Sequence, residues 1–303
     1  MIATPSGVYG RLRAQVFRKG ILIEDTGWFN NLITDQGLDF LGNSAFNQYS
    51  GPFYYGMVGD GTTAPDYTDT TLENQLYQVG RTNAWDLTDA VNGSPPYRSG
   101  TRRQYRFNIT GTHDISEIGV GRNSGLVFAR AFPLNDSNAP ITIPVINGDI
   151  LDIYHEFYMV HTNVSTPFAT TISGVPYTGN IVGHSYQALQ PYFKGLGGAP
   201  GYTSTNWAYA YSGDVANSFS FPSGSIVGIQ GRSISAYTPG NHYVDGSFWY
   251  DVDYANYAGG IKTIALQVGY ASSAFVFDTT IPKLDTQKLT LNVRFGPWSR
   301  YTP

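Results

Sequence analysis

The sequence predicts an all-β protein, and three observations support this prediction. Tyrosine (23 residues), phenylalanine (17) and glycine (35) are abundant in a chain of 303 residues, a mixture typical of many strands joined by tight turns. Several segments alternate apolar and polar residues. Short turn sequences separate these segments. The length and the number of strand candidates predict two tandem β-sandwich-like domains with short helical turns.

A hairpin and a short helix are the first elements predicted along the chain. Leu12, Ala14 and Val16 alternate with polar residues, which indicates a strand. Lys19-Gly20 then turns the chain into a second apolar segment, ILIEDT. The segment NNLITDQGLDFLG follows, and in it Asp35 is placed to cap a short helix.

The segment VGDGTTAPDYTDTTL, from Val58 to Leu72, is rich in turn-forming residues. We interpret it as a strand exit and a turn, followed by a helix cap formed by Thr70 and Glu73. It is close to the glycine-rich dinucleotide pattern, but it lacks the helix that this pattern requires. Its spacing also differs from that of a helix-loop-helix calcium site. The alternative interpretation of this segment is a calcium site, whose ligands would be Asp60, Asp66 and Asp69.

Further strand candidates are RRQYRFNIT, ISEIGVG, GLVFARAF and ILDIYHEFYMV, and the second half then resembles the first. TIPVINGDILDIYHEF begins at Thr142 and TIPKLDTQKLTLNVRF at Thr280, an offset of 138 residues (280 minus 142). AQVFRKGILIED has a looser counterpart in TTISGVPYTGN. We therefore predict domains at residues 1–163 and 164–303, the second a possible duplication of the first. Chance similarity is the alternative, because alternation alone matches apolar positions.

Composition argues against several classes of function. The chain has no cysteine, which excludes disulfides, thiolate metal sites and a cysteine nucleophile. A net charge of −4 with 13% charged residues gives no electrostatic footprint for nucleic acid. No apolar run is long enough to cross a membrane, and the first residues do not resemble a Sec signal peptide. We expect neither a nucleic-acid partner nor membrane insertion.

Catalytic motifs are also missing from the sequence. The five histidines are scattered, and none has the spacing of a zinc hydrolase. There is no G-x-S-x-G nucleophile motif and no P-loop. Two close carboxylate pairs, Asp149/Asp152 and Asp251/Asp253, suit a solvated strand face. The alternative is a catalytic pair of carboxylates, as in a glycosidase. We expect a protein that is not an enzyme, with no cofactor and no bound metal.

Aromatic and arginine side chains are the candidates for contact with partners. The segment NHYVDGSFWYDVDYANYAGG concentrates large rings, which suit the core and subunit contacts better than sugar stacking. The segment RSGTRRQYRF suits a solvated or interface cluster better than a phosphate site, and its arginines are Arg98, Arg102, Arg103 and Arg106. The predicted interface or ligand-contact residues are Trp28, Phe248, Trp249, Tyr250, Tyr254, Tyr257 and Trp298.

Four motif groups occur in a fixed order between about residues 10 and 160. They are GILIEDTGWFNNLITDQGLDFL, VGDGTTAPDYTDTTLENQL, RRQYRFNITG with ISEIGVGRNSGLVFARAF, and ITIPVINGDILDIYHEFYM. Together they resemble a family of tailed-bacteriophage virion structural proteins, whose members look like tail fibre or tail-tip proteins. The resemblance implies a structural role in the phage tail after synthesis in the host cytoplasm. It carries no catalytic assignment for the segment from Val58 to Leu72.

Two functions from different classes follow. The first is a non-enzymatic virion component that contacts copies of itself and neighbouring virion proteins. Because the chain lacks the long repeats of a fibre shaft, an adaptor, tip, baseplate or short-fibre subunit fits better. The alternative is a tail protein that binds or depolymerises a host-surface glycan through its aromatic rings and carboxylates.

Overall fold

The structure is a computed structural model that describes residues 2–42, 53–88, 97–122, 125–161, 165–183, 207–215, 222–228, 231–268 and 271–303. Within these ranges it contains strands β1 to β21 and a single helix, α1. The all-β prediction is therefore confirmed.

The half of the chain before residue 163 contributes the helix and the first twelve described strands. In chain order they are β1 (Ile2–Arg18), β2 (Ile21–Asp25), β3 (Phe29–Ile33), α1 (Asp35–Gly42), β4 (Tyr55–Gly59), β5 (Gln75–Gly80), β6 (Asn83–Thr88), β7 (Tyr97–Asn108), β8 (His113–Ile115), β9 (Glu117–Gly121), β10 (Val127–Ala131), β11 (Ile143–Val145) and β12 (Ile150–His161).

The later half contributes the remaining strands. They are β13 (Ser165–Ile172), β14 (Val175–Gly183), β15 (Trp207–Tyr211), β16 (Ile226–Gly228), β17 (Gly231–Ile234), β18 (Val244–Tyr250), β19 (Ile261–Val268), β20 (Ala271–Ile281) and β21 (Leu289–Arg300).

Strand β1 organises the larger of the two main sheets. This sheet has thirteen of the described strands, with the main path β17-β18-β21-β1-β3-β10-β9-β4-β5. Strand β12 pairs with one edge of β1 from Gly7 to Phe17. Strands β21, β3 and β2 pair in succession along the opposite edge. A second sheet has the order β13-β14-β20-β19-β15-β16, and β11 pairs with β8.

The predicted domain boundary at residues 163/164 does not separate the sheets. Strand β21, from the later half, pairs in parallel with β1 over Ile2 to Val8, and β18 pairs with β21. Strands from both predicted domains therefore share one sheet. Residues 162–164 themselves lie outside the described residues.

The two segments offset by 138 residues occupy different positions in the sheet. Strand β12 lies between β1 and β7, and both neighbours are antiparallel to it. Strand β21 lies between β18 and β1, and β1 is parallel to it. The duplication predicts equal positions, so this pairing argues against it. The apolar match arises because any two alternating strands share a period of two.

The core follows from the alternation that is visible in β1. Leu12, Ala14 and Val16 are fully buried, while the intervening residues Arg13 and Gln15 face the other side of the sheet. The second sheet contributes rings to the same buried cluster, including Phe275. Apolar side chains on one face of each sheet therefore form a continuous core, as a sandwich-like architecture requires.

The short predicted helix is present as α1, but its cap differs from the prediction. The hydroxyl of Thr34, not the side chain of Asp35, accepts the hydrogen bond from the backbone N–H of Gly37 at 2.9 Å. Leu38 continues the first turn by donating its N–H to the carbonyl of Thr34. Threonine and aspartate are both good N-caps, and the cap falls one residue earlier than the sequence alone indicates.

Candidate functional site

The segment from Val58 to Leu72 is held by a buried ion pair. The Glu117 carboxylate is fully buried and lies 2.9 Å from the guanidinium of Arg130, which is only 2% exposed. The carboxylate also accepts three backbone N–H groups at 2.8 to 3.2 Å. These donors are Gly61, Glu73 and Asn74. A buried charge is tolerated only with such partners, so the ion pair organises the loop.

Arg130 fixes the far side of the same loop. Its guanidinium donates to the carboxylate of Asp69 at 2.6 Å and to the carbonyl of Thr63 at 2.8 Å. Gly61 is required because a Cβ atom there would lie 2.5 Å from a carboxylate oxygen of Glu117. The loop therefore serves the fold, as a structural loop between β4 and β5.

The predicted helix cap at Thr70 and Glu73 is wrong. No helix follows, because β5 begins at Gln75. The Glu73 carboxylate instead accepts the backbone N–H groups of Thr62 and Thr63, at 2.5 and 2.6 Å. These bonds lower the pKa of Glu73 below its ordinary value, the bond from the Thr63 N–H most of all. The capping sequence thus completes a loop and not a helix.

The three aspartates of this loop take separate partners. Asp60 accepts from the Asn74 amide at 2.5 Å, Asp66 from the backbone N–H of Thr68 at 2.9 Å, and Asp69 from Arg130. In the described part of the chain, no group of three or more histidines and carboxylates could hold a metal ion.

The outer face of β1, β12 and β7 carries a row of partly exposed arginines paired with buried carboxylates. Register places Arg11, Glu156 and Arg102 side by side on the three strands. The fully buried carboxylate of Glu156 bonds to both guanidinium groups, at 2.5 Å to Arg11. The hydroxyl of Tyr158 donates to it at 2.9 Å.

Trp28, one of the predicted contact residues, lies over this row. The guanidinium carbons of Arg11 and Arg102 are 4.9 and 5.2 Å from the centroid of its ring. The ring is half-buried, and cation–π contacts of this kind hold it against the two arginines. Because Trp28 lies between β2 and β3, the loop after the first hairpin is anchored to the sheet.

Further ion pairs continue the pattern along the sheet. Arg106 bonds to Asp152 at 2.6 Å, and Arg13 bonds in a bidentate manner to Asp25. The Arg13 guanidinium holds the pKa of Asp25 well below its ordinary value. Arg98 donates to the hydroxyl of Tyr9 at 2.9 Å.

We call this set the arginine face. Its members are Trp28, Arg11, Arg13, Arg98, Arg102, Arg106, Glu156, Asp152 and Asp25. Five arginines thus stand against three carboxylates. The side chains of Arg11, Arg13, Arg102 and Arg106 are between 34% and 47% exposed. The face combines positive charge with an aromatic ring.

Arg103 departs from the predicted arginine cluster. The alternation of β7 places its side chain on the core side, where it is 1% exposed. His155 lies opposite Arg103 in the register of β7 and β12 and is fully buried. Burial, with a smaller contribution from the Arg103 charge, lowers the pKa of His155 to about 3.

Three predicted contact rings belong to the core. Phe248 and Tyr250 are fully buried in β18, and Trp298 in β21 is 4% exposed. The cause is alternation, since β18 buries every second side chain from Val244 to Tyr250. Within this single chain these rings stabilise the core and offer no surface.

The other predicted contact rings are reachable from solvent. Trp249 is half-buried with the Lys288 ammonium 4.8 Å from its ring centroid, and Tyr254 is exposed. The hydroxyl of Tyr257 donates to the carbonyl of Ala210 at 3.1 Å. Contact with a partner stays a prediction for these rings and for Trp28.

Strand β2 exposes apolar residues that the sequence interpretation did not single out. Ile21, Leu22 and Ile23 are 69%, 46% and 43% exposed. Among the described strands β2 pairs only with β1, so its outer edge is unpaired. A usable signal is present in the sequence: three consecutive aliphatic residues break the alternation, so they cannot all face a core.

A cleft of about 230 Å³ lies where β21 and β3 leave the same edge of β1. Its lining includes Tyr9, Asn31, Tyr67, Arg300 and Tyr301. The Arg300 guanidinium lies 4.0 Å from the Tyr67 ring centroid and pairs with Asp35. Aromatic rings beside hydrogen-bonding groups suit a polar ligand such as a sugar unit.

Comparisons of the chain with protein-family models, with curated proteins and with solved structures found no match. The resemblance to tailed-phage virion proteins therefore stays a prediction. No helix in the described residues is long and apolar enough to cross a membrane.

Proposed function

We propose that this protein is a non-enzymatic, tail-associated structural component of a tailed-bacteriophage virion. It acts by contact with copies of itself and with neighbouring virion proteins. The observation that carries this proposal is the arginine face, a rigid sheet surface that presents arginines and a tryptophan. Trp, Tyr and Arg are the residues most enriched where protein interfaces concentrate their binding energy.

The arginine face has the properties of a preorganised interface. Four of its five guanidinium groups are held by Glu156, Asp152 and Asp25, and that of Arg98 by the Tyr9 hydroxyl, so little side-chain entropy is lost on binding. It contains no lysine, which interfaces disfavour. The excess of arginine over carboxylate favours a partner surface that carries negative charge.

The motifs behind the phage resemblance also support the proposal because they meet in space. ISEIGVG supplies Glu117, GLVFARAF supplies Arg130, and the segment from Val58 to Leu72 wraps around both. Residues that are far apart in the sequence therefore form one structural unit. This unit suits a component that works by contact.

Virion incorporation tests the proposal. We expect virions of the phage that encodes the chain to contain the subunit in the tail, seen by immunogold labelling. A phage carrying Arg106→Glu should incorporate much less of it. Arg294→Glu is the matched control, because Arg294 is a partly exposed arginine paired with Asp245 and lies outside the arginine face. Absence of the chain from virions would overturn the proposal, and equal incorporation of both variants would remove the arginine face from it.

The cleft beside Tyr67 favours one second function, glycan binding. A sugar ring packs on aromatic faces while its hydroxyl groups bond to nearby polar atoms. If this function holds, a glycan array should show binding that Tyr67→Ala weakens. Tyr254→Ala is the matched control and should leave binding unchanged, because this ring is also exposed but lies outside the cleft. Absence of binding by the unmodified chain would rule this function out for the glycans on the array.

A further inference from the structure

Within the described residues, the hairpin formed by β1 and β2 has backbone hydrogen-bonding groups with no strand partner at its outer edge. Lys19 and Gly20 have φ values of 52° and 81°, which is the geometry of a two-residue turn with both residues left-handed. Arg18 and Ile21 close this turn as a hydrogen-bonded pair. The next pair, Phe17 and Leu22, is then non-hydrogen-bonded, so the backbone N–H and C=O of Leu22 point away from β1.

The side chains of β2 make this edge unusual. Exposed edge strands are ordinarily protected by charged residues, proline, a β-bulge or a covering segment. Strand β2 has a bulge at Ile23, because Phe17 pairs with Leu22 and Val16 with Glu24, but Ile21 and Leu22 precede it and pair regularly with β1. In this protein Ile21, Leu22 and Ile23 are all exposed, and within the described ranges no strand pairs with the outer edge. An apolar edge with free backbone groups is a template for another strand.

The order of charges along β2 selects the direction of that strand. A cation, Lys19, precedes the aliphatic residues, and two anions, Glu24 and Asp25, follow them. An antiparallel copy centred on Leu22 places Ile21 opposite Ile23, and it brings the turn residue Lys19 towards Asp25 at the far end of the other β2. A parallel copy would place like charges opposite each other, which is unfavourable.

We propose that β2 pairs with β2 of a second copy of this chain, antiparallel, about a two-fold axis at Leu22. In this arrangement the two Leu22 residues exchange both backbone hydrogen bonds. The same surface serves both copies, which is the property of a closed, two-fold interface. The inference rests on the proposed function, because it names the contact through which the subunit associates with itself.

The pairing is small in area compared with a stable interface of roughly 1,000 Å² or more. The isolated chain should therefore associate weakly and reversibly. In a particle, contacts with other virion proteins would hold two copies near each other and so raise the effective concentration for this pairing.

Cysteine substitution tests the geometry, since the chain has no cysteine of its own. In the pairing, the two Leu22 Cα atoms lie about 5.5 Å apart, within the range that a disulfide spans. Under oxidation, Leu22→Cys should form covalent dimers at least roughly tenfold faster than Val175→Cys, because pairing raises the effective concentration of the thiols. Val175 is the matched control: it is 49% exposed and follows the Ser173-Gly174 turn of another hairpin.

A mixing experiment tests the register. Ile21→Cys alone should cross-link slowly, because its partner position is Ile23. Ile21→Cys mixed with Ile23→Cys should cross-link rapidly to the mixed dimer. If Leu22→Cys is no faster than Val175→Cys, or if the mixture is no faster than Ile21→Cys alone, the proposal is overturned.

Sedimentation velocity at high micromolar concentration separates this inference from the proposed function. The unmodified chain should show a dimer that Leu22→Lys removes and Val175→Lys leaves in place. A dimer that survives Leu22→Lys would overturn the β2 pairing while keeping self-association. A chain that is monomeric and fails to cross-link, yet is found in virions, would overturn the pairing and leave the virion role standing.

Discussion

Glu117 and Glu156 are both fully buried carboxylates held by arginine, but the surroundings of the two pairs differ. Arg130, the partner of Glu117, is itself buried, and backbone N–H groups of the loop complete the site. Arg11 and Arg102, the partners of Glu156, stay more than a third exposed beneath Trp28. The same ion pair thus fixes a fold in one place and prepares a surface in the other.

The comparison teaches that the role of a buried acid depends on whether its cation can reach water. A buried arginine that loses its partner keeps an uncompensated charge. A partly exposed arginine that loses its partner is rehydrated, at a much smaller cost. The following expectations test this difference, beginning with the largest effect.

Glu117→Gln should lower the free energy of unfolding by about 3–5 kcal/mol, because it leaves the Arg130 charge buried without compensation. Urea unfolding followed by circular dichroism measures the change. Glu73→Gln is the control, since Glu73 bonds to the same loop but is exposed, and its effect should be much smaller. A loss under about 1 kcal/mol for Glu117→Gln would mean that the buried pair does not fix the loop.

Acid should destabilise the fold through His155, which lies on the core side of β12. His155 has a pKa lowered to about 3 by burial, so the unfolded chain binds a proton below pH 6.5 that the folded chain does not. Stability should therefore fall as pH decreases, by about 2 kcal/mol between pH 6.5 and pH 5. This contribution should vanish in His155→Phe. An identical pH profile in the variant would contradict the assignment.

Glu156→Gln should cost about 1–2 kcal/mol, less than Glu117→Gln, because its two arginines are accessible to water. Urea unfolding of the two variants side by side gives the ratio directly. Equal losses of stability in the two variants would contradict this expectation, since they would show that the cost of losing the acid does not depend on the exposure of its arginine partners.

The contact between Trp28 and Arg102 should be worth about 0.5–1 kcal/mol, the range of a partly exposed cation–π pair. A double-mutant cycle with Trp28→Ala and Arg102→Ala isolates this coupling. Trp28→Ala with Arg106→Ala is the control cycle, because no contact joins that pair. A coupling energy of zero in the first cycle would mean that Trp28 packs over Arg102 without stabilising it.

Local patterns in the sequence predicted local structure well. Alternation placed Leu12, Ala14 and Val16 in the core, and Lys19-Gly20 predicted the hairpin turn. The segment from Val58 to Leu72 was correctly interpreted as a strand exit and a turn, although the helix cap predicted at its end is absent. Short-range rules of turn chemistry and side-chain period suffice at these places.

Long-range partners could not be predicted in the same way. Nothing local in GLVFARAF distinguishes Arg130, which binds a buried acid, from an arginine on a surface. The parallel pairing of β21 with β1 joins residues almost 300 positions apart, and no periodicity encodes it. For the rings at 248–257, composition indicated contact, but the phase of β18 decided which rings are buried.

The parallel pairing of β1 with β21 has a consequence for synthesis of the chain. Ile2 pairs with Val293, so the edge of β1 stays open until β21 has left the ribosome. Pairing between strands so far apart in the sequence forms slowly, and until it forms the unpaired edge of β1 can associate with other chains. Subunits made side by side on one message therefore share a period in which β1 lacks its last partner. We therefore expect the chain to depend on chaperones during translation. Slower initiation should reduce this dependence, because it separates the nascent chains on one message.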